Sequence, residues 1–387
     1  EEVYRKINER RLVDKDALNT LYDNLIEKRN QEAINAGFSN YRDYRFKELG
    51  RFDYTKDDCF KFHEAVKQHV LPLVNIIYQK KKEKLGLDSL RPWDIEAEPS
   101  GVNPLIPFKT SEELIEKSIA CFSKLRPFFG ECLKKMQELK HLDLESRKGK
   151  APGGYNCPLA ESGAPFIFMN AAGQMHDVTT MLHEGGHAVH SFLAHPLELN
   201  GFKEYPMEIA EVASMAMELM SMDEWETFFT DATDLQRAKE HQLERVITIF
   251  PWIAIIDKFQ HWIYEHPVHT HEERTATWNE ILKEFQDNVI DYSGLETYRS
   301  NNWQRQLHLF EVPFYYIEYG IAQLGAIGMW MQYKENKEQA MDNYCKALAL
   351  GGTRTLPQLF ETAGLKFDFS PDKIKVLMEF VKEEMER

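Results

Sequence analysis

Apolar residues recur three and four apart through almost the whole chain, and this helical period breaks decisively in one place, residues 149–177, GKAPGGYNCPLAESGAPFIFMNAAGQMHD. That stretch is rich in Gly and Pro, with a β-prone centre at 165–169, so it predicts a small strand or hairpin. The flanking pattern is typified by DALNTLYDNLIEKRNQEAINAG at 16–37, where Gly37 supplies the stop. Similar amphipathic segments are expected at about 56–84, 111–140, 233–264, 271–290, 313–334, 336–350 and 370–386. SLRPWDIEAE at 89–98 reads as a second strand or loop, because Pro92 disfavours helix at the residue before it. The expected fold is therefore mostly α, a large helical domain with a small β-sheet or hairpin. With 387 residues, 43% of them apolar, the chain can bury a sizeable core.

The irregular stretch leads directly into TTMLHEGGHAVHS at 179–191. Asp177 is placed as the N-cap of a helix running from about Val178 to Ala194, ahead of Pro196. On that helix His183 and His187 are one turn apart, so both imidazoles leave nearly the same face and can meet one metal ion. Glu184 lies alongside, placed to act on water as a general base rather than as a third ligand. The pattern is short, and two histidines on a helix are also common as structural residues. His190, two turns after His183, can line such a site without being a ligand. Gly185 and Gly186 each cost roughly 1 kcal/mol against alanine inside a helix, which suggests that another element packs closely there.

A catalytic zinc needs a third protein ligand and an open position. The extended pattern with a further histidine fails, because residue 190 is His and residue 193 is Leu. A carboxylate from a second helix is the other solution, and YPMEIAEVASMAMELMS at 205–221 supplies Glu211 between Ile209, Ala210, Val212 and Ala213. An uncompensated charge among these residues would cost several kcal/mol, and a metal removes that cost. Glu204 and Glu208 fit the ordinary role of surface or helix-start acids. Glu218, two turns on, is placed to accept the other N–H of a ligand histidine. Pro206 suits the first turn of this helix.

The pair HEGGHAVH and EIAEVASMAMEL, with the glutamate 24 residues after the second histidine, resembles the thimet oligopeptidase and oligoendopeptidase F family, most closely the oligoendopeptidase F branch. AGFSNYRDYRFKELGRFDYT, LRPWD, PFIFMNAAG and HLFEVPFYYIEYGIAQ also resemble blocks of that branch, so nearly the full chain is covered. The resemblance implies one zinc ion held by His183, His187 and Glu211, with Glu184 as the catalytic acid and base. It further implies that His308, Tyr316 and Tyr319 donate hydrogen bonds to the substrate carbonyl or oxyanion. Tyr315 is one turn from Tyr319, so the choice between Tyr315 and Tyr316 stays open, and read without the resemblance PFYYIEY is an ordinary aromatic core segment.

The expected activity is zinc-dependent hydrolysis of internal bonds in short to medium oligopeptides. The strand near 165–169 is expected to pair with the extended substrate as an added strand. A dipeptidyl carboxypeptidase or carboxypeptidase of related helical type is the alternative within enzymes. Outside them, the alternative is a non-catalytic helical peptide-binding protein with a structural metal. Residues 1–387 are read as one catalytic region, a helical part at 1–145 and a zinc-site part at 146–387. Members of the branch carry a further amino-terminal helical lobe, and this chain begins without it or a methionine, as a fragment, a processed form or a short member would.

The remaining features exclude function classes. A net charge of -15 disfavours nucleic acid as a partner, and no apolar run is long enough for a membrane span. Five cysteines without a C-x-x-C pair argue for free thiols in a reducing compartment, so a cytoplasmic location is expected. The lysine-rich YQKKKEKLG at 78–86 reads as a solvated helix face, and the oligomeric state is left open.

Overall fold

The computed structural model describes residues 1–387. Five helices come first: α1 (Glu2–Val13), α2 (Lys15–Asn35), α3 (Tyr41–Glu48), α4 (Lys56–Ala65) and α5 (Leu71–Leu85). Helices α6 (Ser111–Leu125) and α7 (Pro127–Glu138) lead into three short strands, β1 (Leu142–Glu145), β2 (Tyr155–Cys157) and β3 (Phe166–Ala171). Then come α8 (Met175–Ala194), α9 (Met207–Met220), α10 (Ala232–Glu265), α11 (His271–Glu284), α12 (Glu296–Ser300) and α13 (Leu307–Glu311). The last four are α14 (Tyr316–Glu335), α15 (Lys337–Leu348), α16 (Leu356–Thr362) and α17 (Pro371–Met385). The mostly helical fold with one small sheet is as expected. No helix is long and apolar enough to cross a membrane.

Several boundaries differ from the periodicity, and prolines account for two of them. The segment at 56–84 is interrupted by a π-helical turn at Val66–Val70, just before Pro72, which has no N–H to offer the preceding turn. The segment at 111–140 is two helices, because Arg126 is extended ahead of Pro127. Helix α11 stops at Glu284, short of residue 290, and α14 starts at Tyr316 rather than 313 because Phe314 adopts a left-handed φ of 66°. Residues 89–98 form no strand, only an isolated bridge from Leu90 to Ile290.

The chain forms two compact units. The first comprises Glu1–Asn103, Val246–Gly320 and Phe369–Lys382. Its core is aromatic: Tyr22 packs on Trp303 at 4.9 Å between ring centroids, and Phe259 packs on Trp278 at the same distance. Burying these rings excludes several hundred Å² of apolar surface from water. A buried ion pair of Arg51 with Glu318, 2.5 Å apart, ties the start of α14 to the loop after α3.

The second unit comprises Pro104–Arg245, Ile321–Asp368 and Glu383–Arg387. Its sheet has the order β1-β3-β2, with β1 parallel and β2 antiparallel to β3. Strand β3 alternates half-buried and buried residues, so Ile167, Met169 and Ala171 face the interior. Both of its edges are taken. The expectation that residues 165–169 accept a substrate strand is therefore corrected: the edges of this sheet belong to β1 and to β2, Tyr155–Cys157.

Helices α8 and α9 pack closely, and two glycines set their approach. A Cβ on Gly186 would lie 2.7 Å from the Ala213 carbonyl oxygen and 2.7 Å from Ser214 Cα, both backbone atoms of α9. A Cβ on Gly185 would lie 2.7 Å from the Phe122 ring of α6. Contact with backbone leaves Gly186 no rotamer escape, so the clash outweighs the helix propensity that alanine would add. Gly186→Ala is expected to destabilise the chain by about 1–3 kcal/mol in urea unfolding. Gly201→Ala, with nothing within 4 Å of its added methyl, is expected to be close to neutral.

Candidate active site

Helix α8 begins where β3 ends, and Asp177 fixes the junction. Its carboxylate accepts from the Ala172 and Gln174 amides at 2.7 and 2.8 Å. Asp177 is thus the third helical residue of a capping box with Gln174 as the cap, rather than the N-cap itself, and the helix starts at Met175. Pro206 likewise sits just before the first turn of α9. Glu208 lies in that first turn, as a helix-start acid is expected to, and is buried there.

His183, His187 and Glu211 come together. One ligand atom from each lies within 4.8 Å of the others, and both His Nε2 atoms approach Glu211 Oε2, at 3.3 and 3.7 Å. The far side of His183 is held as expected: its Nδ1 is 2.7 Å from Glu218 Oε1. Glu218 is anchored in turn by Gln242, whose amide donates to Oε2 at 2.8 Å. Glu184 is 6% exposed, and its Oε2 has no hydrogen-bond partner. The β2 segment lies against it, with Asn156 Nδ2 donating to the Glu184 carbonyl at 3.2 Å. His190 stands apart from the donor set, stacked on Tyr205 at 3.5 Å between centroids.

The electrostatics of this cluster are those of a cation site. Burial opposes charge on His183, but the Glu211 and Glu218 carboxylates outweigh it and hold the imidazole well above its usual value. His187 is pushed down to about 4, mainly by burial, and stays a neutral donor. Burial raises Glu184 to about 7, with Glu211 and Glu218 adding to the rise and His183 opposing it. Two neutral-capable imidazoles, one carboxylate and an unpartnered buried oxygen beside them suit a divalent metal such as zinc.

His308, Tyr316 and Tyr319 form a second cluster, in the first unit. The His308 ring lies 5.1 Å from that of Tyr316 and 5.8 Å from that of Tyr319. Tyr315 is also adjacent, at 5.7 Å. Tyr316 is buried, whereas Tyr315 and Tyr319 are half-buried. The segment between α13 and α14 is fixed by backbone capture: Gln260 Oε1 accepts from the Phe314 amide at 2.6 Å, and Arg29 and Arg51 donate to the Leu309, Phe310 and Phe314 carbonyls.

Two residues missed in the sequence, Trp252 and Gln306, determine the tautomer of His308. The Trp252 indole N–H can only donate, so Gln306 Oε1 accepts it at 2.9 Å and the Gln306 amide nitrogen faces His308 Nδ1 at 2.7 Å. His308 Nδ1 must then accept, which puts the ring proton on Nε2, 3.3 Å from the Tyr319 hydroxyl. Tyr319 Oη accepts it, so the tyrosine directs its own proton elsewhere. Only the position of Gln306, two residues before His308, hints at this in the sequence.

A helical body with a two-helix His, His and Glu donor set defines a helical peptidase fold. The model of peptidase family M3 matches residues 1–378, and the chain belongs to that family. It is 26% identical over 297 residues to an oligoendopeptidase F homolog of Borreliella burgdorferi, covering 73% of this chain and 48% of that protein. It is 25% identical over 339 residues to the oligopeptidase PepF of Bacillus subtilis, covering 84% and 48%. The chain thus spans about half the length of the curated relatives it matches. The solved structure of PZ peptidase A with an inhibitor superposes with a TM-score of 0.91 at 28% identity, over 97% of this chain and 66% of that one.

Two measurements follow from this geometry. In chain kept free of metal, ionising Glu184 in the folded state is unfavourable, and the cost grows as pH rises from its unfolded value of 4.5 towards 7. Glu184→Gln is therefore expected to stabilise metal-free chain by about 3 kcal/mol at pH 7 and by under about 1 kcal/mol near pH 4.5, read from melting at each pH. Nitrogen-15 NMR is expected to find the His308 proton on Nε2, and Gln306→Glu to move it to Nδ1, since a carboxylate can only accept.

Proposed function

We propose that the chain is the catalytic region, residues 1–387, of a zinc-dependent endopeptidase that hydrolyses internal bonds of short to medium oligopeptides. The observation that carries this reading is Glu184, a buried carboxylate with an unpartnered oxygen, next to three convergent metal-ligand atoms. His183, His187 and Glu211 would hold the ion, and a bound zinc supplies Lewis acidity towards water and the scissile carbonyl. Membership of peptidase family M3 and the likeness to oligoendopeptidase F relatives support the substrate class.

Glu184 takes the proton of the attacking water and returns it to the leaving amine, and its raised affinity for protons near neutral pH suits both transfers. Glu218 and Gln242 keep the His183 ring from turning. His308 and Tyr319, with Tyr316 as the third donor, supply hydrogen bonds to the developing oxyanion. The half-buried Tyr319, whose hydroxyl accepts the His308 Nε2–H and so keeps its own proton to donate, supports this role, and comparing Tyr315→Phe with Tyr316→Phe identifies the partner tyrosine. The β2 edge, whose Asn156 is bonded to the Glu184 carbonyl, is the place to pair with an extended main chain, which recognises peptides without strict choice of side chains. The free thiols support a cytoplasmic location, and the net charge of -15 disfavours nucleic acid as a partner.

The test is cleavage of a quenched fluorescent oligopeptide with a blocked carboxyl terminus. Internal cleavage is expected, abolished by chelator and restored by zinc. Glu184→Gln is expected to keep zinc while lowering kcat by about 10²–10⁴-fold, and Glu211→Ala to lose zinc. Glu184→Gln that turns over normally sinks the assignment of the base.

A further inference from the structure

Helices α4 and α10 each carry a one-turn pair of metal-binding side chains, Cys59 with His63 and Asp257 with His261. All four are 2% exposed or less. One ligand atom each from Cys59, Asp257 and His261 lies within 4.8 Å of the others. We propose that Cys59, Asp257 and His261 form a second metal site in this chain, structural in role and suited to zinc, with His63 orienting the Asp257 carboxylate.

The argument begins with charge. Asp257 is paired with His63, at 2.9 Å, and with His261, at 3.3 Å, and with no lysine or arginine. A carboxylate removed from water needs a compensating cation. A protonated histidine would supply one, but two observations favour a metal. His261 Nε2 sits 3.3 Å from Asp257 Oδ2 without hydrogen-bond geometry, and neither ring nitrogen of His261 has a hydrogen-bond partner although both are buried. That spacing is what two ligands of one ion adopt, and it equals the His183 Nε2 to Glu211 Oε2 distance of 3.3 Å in the first donor set. The second observation is the Cys59 sulfur, which an imidazolium–carboxylate pair does not require.

The balance of charge then selects the ion. A divalent metal is neutralised by one thiolate and one carboxylate, with the imidazole neutral, so the filled site carries no net charge into the core. Binding breaks the Cys59 S–H bond, forms the sulfur–metal bond and releases one proton to solvent, as metal-bound thiols do. Sulfur, nitrogen and oxygen donors together favour zinc over magnesium or calcium. His63 donates its Nε2–H to Asp257, the usual support for a ligand carboxylate. The site would staple α4 to α10 next to Gln260, the residue that captures the Phe314 amide.

Cobalt substitution separates this site from the first, which has no sulfur. Chain loaded with Co²⁺ is expected to bind two ions and to show a near-ultraviolet thiolate-to-cobalt band. Cys59→Ser is expected to remove the band and one ion, while Cys157→Ser keeps both. The double variant His183→Ala with His187→Ala is expected to retain one ion and the band, independently of whether the first site is catalytic. Should Cys59→Ser fail to fold by circular dichroism, the double variant and the unaltered chain still decide. No band in the loaded unaltered chain, a band that survives in Cys59→Ser, or a double variant that binds no metal would overturn the proposal.

Discussion

The folded state holds three carboxylates, Glu184, Glu211 and Glu218, out of water around the imidazole of His183. Like charges at this density repel unless a positive charge sits among them. In the metal-free chain that charge is a proton on His183, held by Glu211 and Glu218 against the opposing effect of burial. The same position offers a metal three donor atoms. The rest of the second unit follows from this requirement: α8 and α9 must pack closely enough for Glu211 to face both histidines, and Gln242 must steady Glu218 from behind.

The two donor sets are built alike but differ in what they expose. Each joins a one-turn pair on one helix to a side chain from another helix. The His183 set has half-buried histidines with the Glu184 carboxylate beside them. The Cys59 set is closed off from solvent. Turning over substrate and holding two helices together would place opposite demands on burial, and the difference in exposure between the two clusters matches the separate roles proposed for them.

Much of the fold was legible because helical periodicity is a local property. Its failures were local too: Pro72 and Pro127 interrupt helices, and the left-handed Phe314 delays the start of α14. The order of strands was not legible, because which of β2 and β3 lies at an edge depends on pairings across the sheet rather than on either strand's own residues. The donor trio of His183, His187 and Glu211 could be read from spacing and an acid among apolar residues. Gln306 and Trp252 could not, since their role lies in which atom can only donate. Nor could the partnership of Cys59 with Asp257 and His261, whose halves lie on helices far apart in the chain.

The glycines between the two histidines have a consequence for how such sequences are compared. Positions 185 and 186 are not interchangeable spacers: a side chain at either would meet Phe122 or the main chain of α9 before the donor atoms of His183, His187 and Glu211 could converge. In a chain built this way, four consecutive residues after His183 are under steric or chemical constraint. A related sequence that preserves both histidines and the glutamate but places a bulky residue at the second glycine has kept the letters of the motif while giving up the helix contact that makes it a site.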